Sequence, residues 1–358
     1  MGGLLRRAWL RLSARPPVWL ATVLAVNAII AITGSIIGAG FNLTALLSVG
    51  PVLACARCNG RITALVSAYS LVLSFAVGAA THSWGTLLQR ERTAVVIMAC
   101  VLAIVVAEIR GRRETRLIRI ADLVQRAILR PLPAELGGVA FASHYQSATP
   151  GTLVGGDLYD LTMTQFGPRF IIGDVRGKGL DAVGRCAAVI AAFRALAFAE
   201  PDLIRLAEQM DDTLCGELEM EDFVTAILAE FGPDEVRIVN CGHHPPLKSG
   251  PRAGRDAAPG TFEVLMPEPS APPLGLHPSP TRQDIVLKHG DRLLFYTDGL
   301  VEARDRAGRF LGLDERVIAA LDEPGLDMCV QRLGGILVEH SGHTLDDDVL
   351  LVVCEPVA

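Results

Sequence analysis

The chain has 358 residues, half of them hydrophobic, with a mean hydropathy of +0.37, long enough for a sizeable core and too apolar for one ordinary soluble protein. A formal net charge of −6 gives no electrostatic reason to expect a nucleic-acid partner. The eight cysteines lack the dense spacing of a disulfide framework and read as mostly free thiols in a reducing compartment, with Cys55-Ala-Arg-Cys58 the one close pair, at the edge of an apolar span.

The apolar excess is localised. Between Pro16 and Ala56 there is no Asp, Glu, Lys or Arg. A bilayer core about 30 Å thick needs about 20 apolar residues per helix, so residues 18–56 predict two crossings broken at Gly38-Ala-Gly-Phe-Asn42: one helix over 18–37 and a second, carrying Pro51, over 43–57. Residues 62–80 and 94–109 are the third and fourth expected spans. Arg6, Arg7, Arg11 and Arg15 precede the first, and Arg110, Arg112, Arg113, Arg116 and Arg119 follow the last. The positive-inside rule therefore asks for both ends on the cytoplasmic side, which an even number of spans permits. The apolar run is too long for a cleavable signal segment. No Asp, Glu or Lys falls at a span centre, so an anchor or sensor is expected, not a transporter.

The expected organisation is a cytoplasmic N-terminus over 1–17, a membrane region over 18–109, a linker helix over 110–135 and a soluble domain over 136–358. In the linker, Leu117, Ile120, Leu123, Val124, Ala127 and Ile128 recur at helical spacing among arginines, and Pro131 and Pro133 end the helix. Such a stripe serves either to pack on the domain that follows or to pair with a second copy as a homodimer, and its arginines suit anionic lipid.

Beyond Gly137, short apolar runs alternate with turns. Strands are predicted around 169–174, 223–229, 235–240, 292–296 and 349–353, with two Ala/Leu-rich helices at 182–198 and 203–217 between the early and later ones. This order predicts an α+β layered domain. Acids punctuate it: Gly155-Gly-Asp-Leu-Tyr-Asp160, Asp174 at a strand end before a glycine-rich turn, Asp298 in Tyr296-Thr-Asp-Gly-Leu-Val-Glu302, and Asp346-Asp-Asp348 before the last strand. One Asp-Gly after a strand is ordinarily a turn. Several in one domain point to carboxylates converging on a hard divalent cation with oxygen ligands.

These motifs, together with Gly173-Asp-Val-Arg-Gly-Lys-Gly179, Asn240-Cys-Gly-His-His-Pro-Pro-Leu247 and Asp347-Asp-Val-Leu-Leu-Val-Val353, resemble in order those of PPM (protein phosphatase 2C-like) phosphatases of the bacterial sporulation-stage-II-E and sigma-regulator type. The resemblance covers about residues 120–355. It implies a four-layer αββα sandwich and a site for two Mn²⁺ or Mg²⁺ ions, in which Asp174 bridges, the Val175 carbonyl assists, and Asp157, Asp298 and Asp347 are further ligands. Asp160 and Asp348 match the motifs as additional candidates. It also implies hydrolysis of phosphoserine or phosphothreonine by a metal-activated water, on a phosphorylated STAS-type anti-sigma-factor antagonist. Arg176 departs from the family's small residue and suits a phosphate-binding guanidinium or, alternatively, weakens the site. Two rival readings stand beside this one: a catalytically weakened PPM-fold membrane sensor acting by partner binding, and a diguanylate cyclase suggested by Gly155-Gly-Asp157. The cyclase leaves the later acidic motifs unexplained.

Overall fold

The structure is a computed structural model describing residues 16–37, 43–147, 155–177, 179–217, 222–250, 262–342, 345 and 347–357. It divides into two compact units, Met1–Arg116 and Leu117–Ala358. The expected break at Gly38–Asn42 lies outside the described residues, as do Lys178 and Asp346.

In the first unit, α1 (Pro16–Ile37), a 3-10 turn (Thr44–Ser48) leading into α2 (Val49–Arg57), and α3 (Gly60–Ala80) precede the long α4 (Leu87–Ile128). Among the described residues, three helices are long and apolar enough to cross a membrane: Trp19–Ile37, Gly60–Ala80 and Leu87–Leu117. The expected second span differs. Thr44–Arg57 is a shorter apolar segment that starts as a 3-10 turn. At about 1.5 Å per helical residue its length falls short of a roughly 30 Å hydrocarbon core.

Some polar groups inside this unit find local partners, which lowers the cost of burying them among apolar side chains. Asn27 is fully buried and its Nδ2 donates to Ser70 Oγ at 2.7 Å. The Arg110 guanidinium donates to the Cys55 and Cys58 carbonyls at 2.7 Å each, closing the C-terminal end of α2 with a cation where the helix dipole favours one. Asn59 caps α3, its Oδ1 accepting from Ile62 N–H at 2.9 Å. The predicted fourth span and the linker are one continuous helix. Gly111 alone between them does not break it, and it ends before Pro131.

The second unit holds two antiparallel sheets. One has strand order β1 (Glu135–Leu136), β2 (Val139–Gln146), β11 (Val349–Pro356), β10 (Arg292–Tyr296), β7 (Leu247–Ser249), β8 (Phe262–Val264). The other runs β3 (Asp157–Thr164), β4 (Gly167–Val175), β5 (Val224–Phe231), β6 (Glu235–Cys241), β9 (Arg282–Val286). Helices α5 (Leu180–Leu196) and α6 (Leu203–Cys215) follow β4. A helical turn α7 (Asp298–Val301), α8 (Glu315–Leu321) and α9 (Leu326–Ser341) lie between β10 and β11.

Strand parity sorts the side chains into three cores. Tyr159, Phe170, Ile172, Ile227, Phe295, Leu350 and Val352 meet between the sheets. Leu158, Ile171 and Leu228 turn outward against Phe193, Leu206 and Met210 of α5 and α6. Leu294, Leu351 and Val353 turn outward against Val317, Leu333 and Leu337 of α8 and α9. The layers are therefore helix, sheet, sheet, helix, the expected αββα sandwich.

One buried charge braces the second sheet. Arg169 on β4 is fully buried, its Nε 2.7 Å from Glu230 on β5, its Nη2 shared between Glu230 and the Pro201 carbonyl, and its Nη1 on the Ala197 and Glu200 carbonyls at the turn between α5 and α6. A buried pair is tolerable when every donor is used in this way.

Candidate metal centre

The sheet registers place the acids. Asp157 on β3 and Asp174 on β4 are direct cross-strand partners. By parity both continue the inter-sheet face, Asp157 with Tyr159 and Asp174 with Phe170 and Ile172. On the facing sheet, Asp348 precedes β11 in phase with Leu350 and Val352, and Thr297 follows β10 in phase with Phe295. One end of the inter-sheet space thus receives carboxylates from both sheets.

Close backbone approach requires glycine at two places. A Cβ on Gly156 would sit 2.3 Å from the Val175 carbonyl oxygen and 2.5 Å from Asp174 Oδ1, so those two oxygens face the same small space. A Cβ on Gly155 would meet Asp348 Oδ2 at 1.9 Å. Gly155 is itself held by the linker helix: its N–H donates to Gln125 Oε1 at 3.1 Å, and its carbonyl accepts from Gln125 Nε2 at 3.4 Å.

Electrostatics mark the cluster. Burial, then the charge of Asp174, push the Asp157 carboxyl well above its ordinary range. Asp348 and Asp298 add to the shift, and the Thr297 hydrogen bond opposes it. Asp298 is raised by burial, then by Asp347 and Glu302, with His244 opposing. Asp347 accepts the Asp348 backbone N–H at 2.9 Å. Like charges held together in a partly desolvated place with oxygen-only donors fit hard divalent cations.

Asp160 departs from expectation. Three residues beyond Asp157, it falls on the opposite face of β3, toward α5, where Arg194 grips it with Nε and Nη2 at 2.8 and 2.9 Å. It is an ion-pair partner on the helix side, not a companion of Asp157. Arg176 is exposed, its guanidinium centred 5.8 Å from the Phe223 ring centroid, directly after Val175.

Several residues that brace the site lie inside the quoted motifs without a role that the motifs themselves assign. Thr297 Oγ1 donates to Asp157 Oδ2 at 2.9 Å and accepts from Leu350 N–H at 2.9 Å. His243 is buried and lies 3.2 Å by Nε2 from the Tyr296 carbonyl and 2.9 Å by Nδ1 from Thr225 Oγ1, joining the two sheets beside Asp174 and Asp298. The carbonyl can only accept, so Nε2 carries the hydrogen and Nδ1 accepts from the threonine. Burial depresses the His243 pKa to about 3. His244 stacks on Tyr296 with ring centroids 5.9 Å apart. The Thr-Asp-Gly motif contains Thr297, but no local pattern shows that its hydroxyl crosses to the other sheet.

Comparison with known proteins agrees with the fold. The family model of Stage II sporulation protein E (SpoIIE) matches residues 166–356, just over half the chain. Among solved structures, the RsbU and RsbW domains of a Mycobacterium tuberculosis protein share 24% identity and a TM-score of 0.54, over 62% of this chain and 61% of that one. This chain thus covers less than two thirds of that relative. The SiaA-PP2C domain of Pseudomonas aeruginosa shares 18% identity and a TM-score of 0.58, over 69% of this chain and 97% of that one. At these identities the likenesses show the fold.

Proposed function

The chain belongs to the SpoIIE family and carries the PP2C/PPM phosphatase fold, and from that premise we propose that it is a membrane-anchored, metal-dependent protein serine/threonine phosphatase. The observation that carries the reading is the cross-strand pair Asp157 and Asp174 beside the Val175 carbonyl, in an inter-sheet mouth that Asp298, Asp347 and Asp348 also load with negative charge. These are the groups that would hold two Mn²⁺ or Mg²⁺ ions.

Such ions, when bound, supply Lewis acidity toward the phosphoryl group and lower the pKa of water. The chain's own residues do the rest. The Thr297 hydroxyl fixes which way the Asp157 carboxylate turns, and the Leu350 N–H fixes the hydroxyl. The neutral His243 ties β5 to the end of β10, holding Asp298 in step with Asp174. Arg176, exposed and directly after Val175, would in this reading pair bidentately with a substrate phosphate.

The substrate, in this reading, is a phosphorylated STAS-type anti-sigma-factor antagonist in a bacterial signalling pathway, in keeping with the RsbU-type relative. Residues 136–358 form the catalytic domain. The three long apolar helices anchor the chain, an odd number that leaves the two arginine-rich ends on opposite sides, and in this reading the five arginines from Arg110 to Arg119, against four before the first helix, keep the catalytic domain on the cytoplasmic side. The apolar stripe of the linker allows homodimerisation.

The test is turnover of a phosphoserine peptide by the full chain in detergent, with Mn²⁺ or with chelator. The expectation is metal-dependent hydrolysis that Asp174→Asn lowers by about 100-fold or more, since loss of a ligand removes several kcal/mol of charge stabilisation. Turnover that survives both chelator and Asp174→Asn refutes the reading. Release of phosphate only from other phosphoesters would replace the protein substrate.

A further inference from the structure

On the helix-covered outer face of the second sheet, a second group of potential metal donors comes together. Asp211 and Cys215 stand four residues apart on α6 and so share one helix face. His277 reaches them from the turn after Leu274, at a backbone φ of +53°. Asp211 is buried, whereas Cys215 is exposed and the His277 side chain is 78% exposed. The donor atoms of all three lie within 4.8 Å of one another.

We propose that Asp211, Cys215 and His277 form a zinc site independent of the carboxylate centre. Asp211 Oδ2 is 3.0 Å from His277 Nδ1 and 3.6 Å from Cys215 Sγ, and Sγ is 4.0 Å from Nδ1. A tetrahedral Zn²⁺ with bonds of about 2.0–2.1 Å to N and O and about 2.3 Å to S sets its donors about 3.3–3.6 Å apart. The three separations bracket that range, so small side-chain shifts admit the ion. Asp211 is already oriented, because its Oδ1 accepts the Gly275 N–H at 2.6 Å and leaves Oδ2 turned toward the other two donors.

The donor chemistry separates this site from the first. One thiolate, one imidazole and one carboxylate suit zinc, whereas Mg²⁺ and Mn²⁺ prefer oxygen-only ligands. Three protein ligands leave a fourth position for water, and exposure of Cys215 and His277 gives the ion an entry path. Binding releases the Cys215 thiol proton, and neutral His277 ligates through Nδ1 as the tautomer that carries its hydrogen on Nε2, so affinity rises with pH.

The site also has a mechanical consequence. Leu274 pairs with Val224, and Val224 pairs with Val175, the residue whose carbonyl faces Asp174. Zinc would fasten α6 to the turn that carries this chain of pairs. The ion would stiffen one flank of the carboxylate centre without touching it.

The test uses the full chain in detergent with saturating Mg²⁺, titrated with Co²⁺ as a spectroscopic stand-in and then with Zn²⁺. The expected result is one equivalent of Co²⁺ giving a thiolate-to-metal charge-transfer absorption that Zn²⁺ abolishes. Cys215→Ser should remove the band. Asp211→Asn keeps an oxygen acceptor for the Gly275 N–H, so it should leave the metal-free melting temperature unchanged while weakening zinc binding by about tenfold or more. The proposal is overturned if the wild-type protein shows no thiolate band, if the band survives Cys215→Ser, or if Asp211→Asn binds zinc as the wild type does.

Discussion

The Thr297 hydroxyl donates to the Asp157 carboxylate at 2.9 Å across the two sheets, joining residues 140 positions apart in the chain. The same oxygen accepts from Leu350 N–H. One small side chain therefore orients a candidate metal ligand and closes the end of the β10–β11 pair. Thr297→Val removes the donor and orphans the Leu350 amide, and we expect a loss of about 1–3 kcal/mol in unfolding free energy together with a fall of about 10–100-fold in Mn²⁺ affinity. Thr297→Ser should recover most of both, as read by chemical denaturation and metal titration.

Gly156 should tolerate no side chain. A Cβ there would press on the Val175 carbonyl and Asp174 Oδ1, both ligand candidates. We expect Gly156→Ala to abolish metal-dependent turnover while circular dichroism reports an intact sandwich. Wild-type turnover in this variant would show that the two oxygens do not share one site.

Asp157 and Asp160 belong to one motif but should behave differently. Asp157→Asn is expected to lower Mn²⁺ affinity sharply. Asp160→Asn, which loses only charge in its pair with Arg194 on the opposite face of β3, should leave affinity within about threefold, below the 10–100-fold typical of groups that support a metal. Equal losses in the two variants, measured by calorimetric titration, would contradict the strand parity.

His243 sets a pH dependence. Its folded pKa, about 3, lies below the ordinary value of 6.5, so the unfolded chain binds the proton more readily. The stability that neutral His243 contributes is fully present above pH 6.5 and is lost as pH falls toward 3. His243→Gln should flatten that part of the acid-unfolding curve relative to wild type, at the cost of lower stability at neutral pH from the altered bridge between Thr225 and Tyr296. Acid unfolding of the two proteins with the same slope would show that His243 does not titrate in this way.

Much of the molecule is legible along the chain because it depends on local signals. The uncharged stretch from Pro16 to Ala56 announces apolar helices. The strands at 169–174, 235–240, 292–296 and 349–353 appear as β4, β6, β10 and β11 within a residue or two at most ends, and the prolines at 131 and 133 lie beyond the end of the linker helix. Composition does not suffice where geometry over distance decides. The segment Thr44–Arg57 has the composition of a span but not its length as a helix.

The same division runs through the site. The residue types, oxygen-only carboxylates beside glycines, are a property of the sequence and suffice to suggest a hard divalent cation, because ligand chemistry depends on side-chain identity. Which carboxylates face one another depends on register and parity, which are properties of the paired sheets. Tertiary structure alone sends Asp160 to Arg194, brings Asp348 into electrostatic reach of Asp157, and carries the Thr297 hydroxyl across the sandwich, since each contact joins segments that only the packing of the layers makes neighbours.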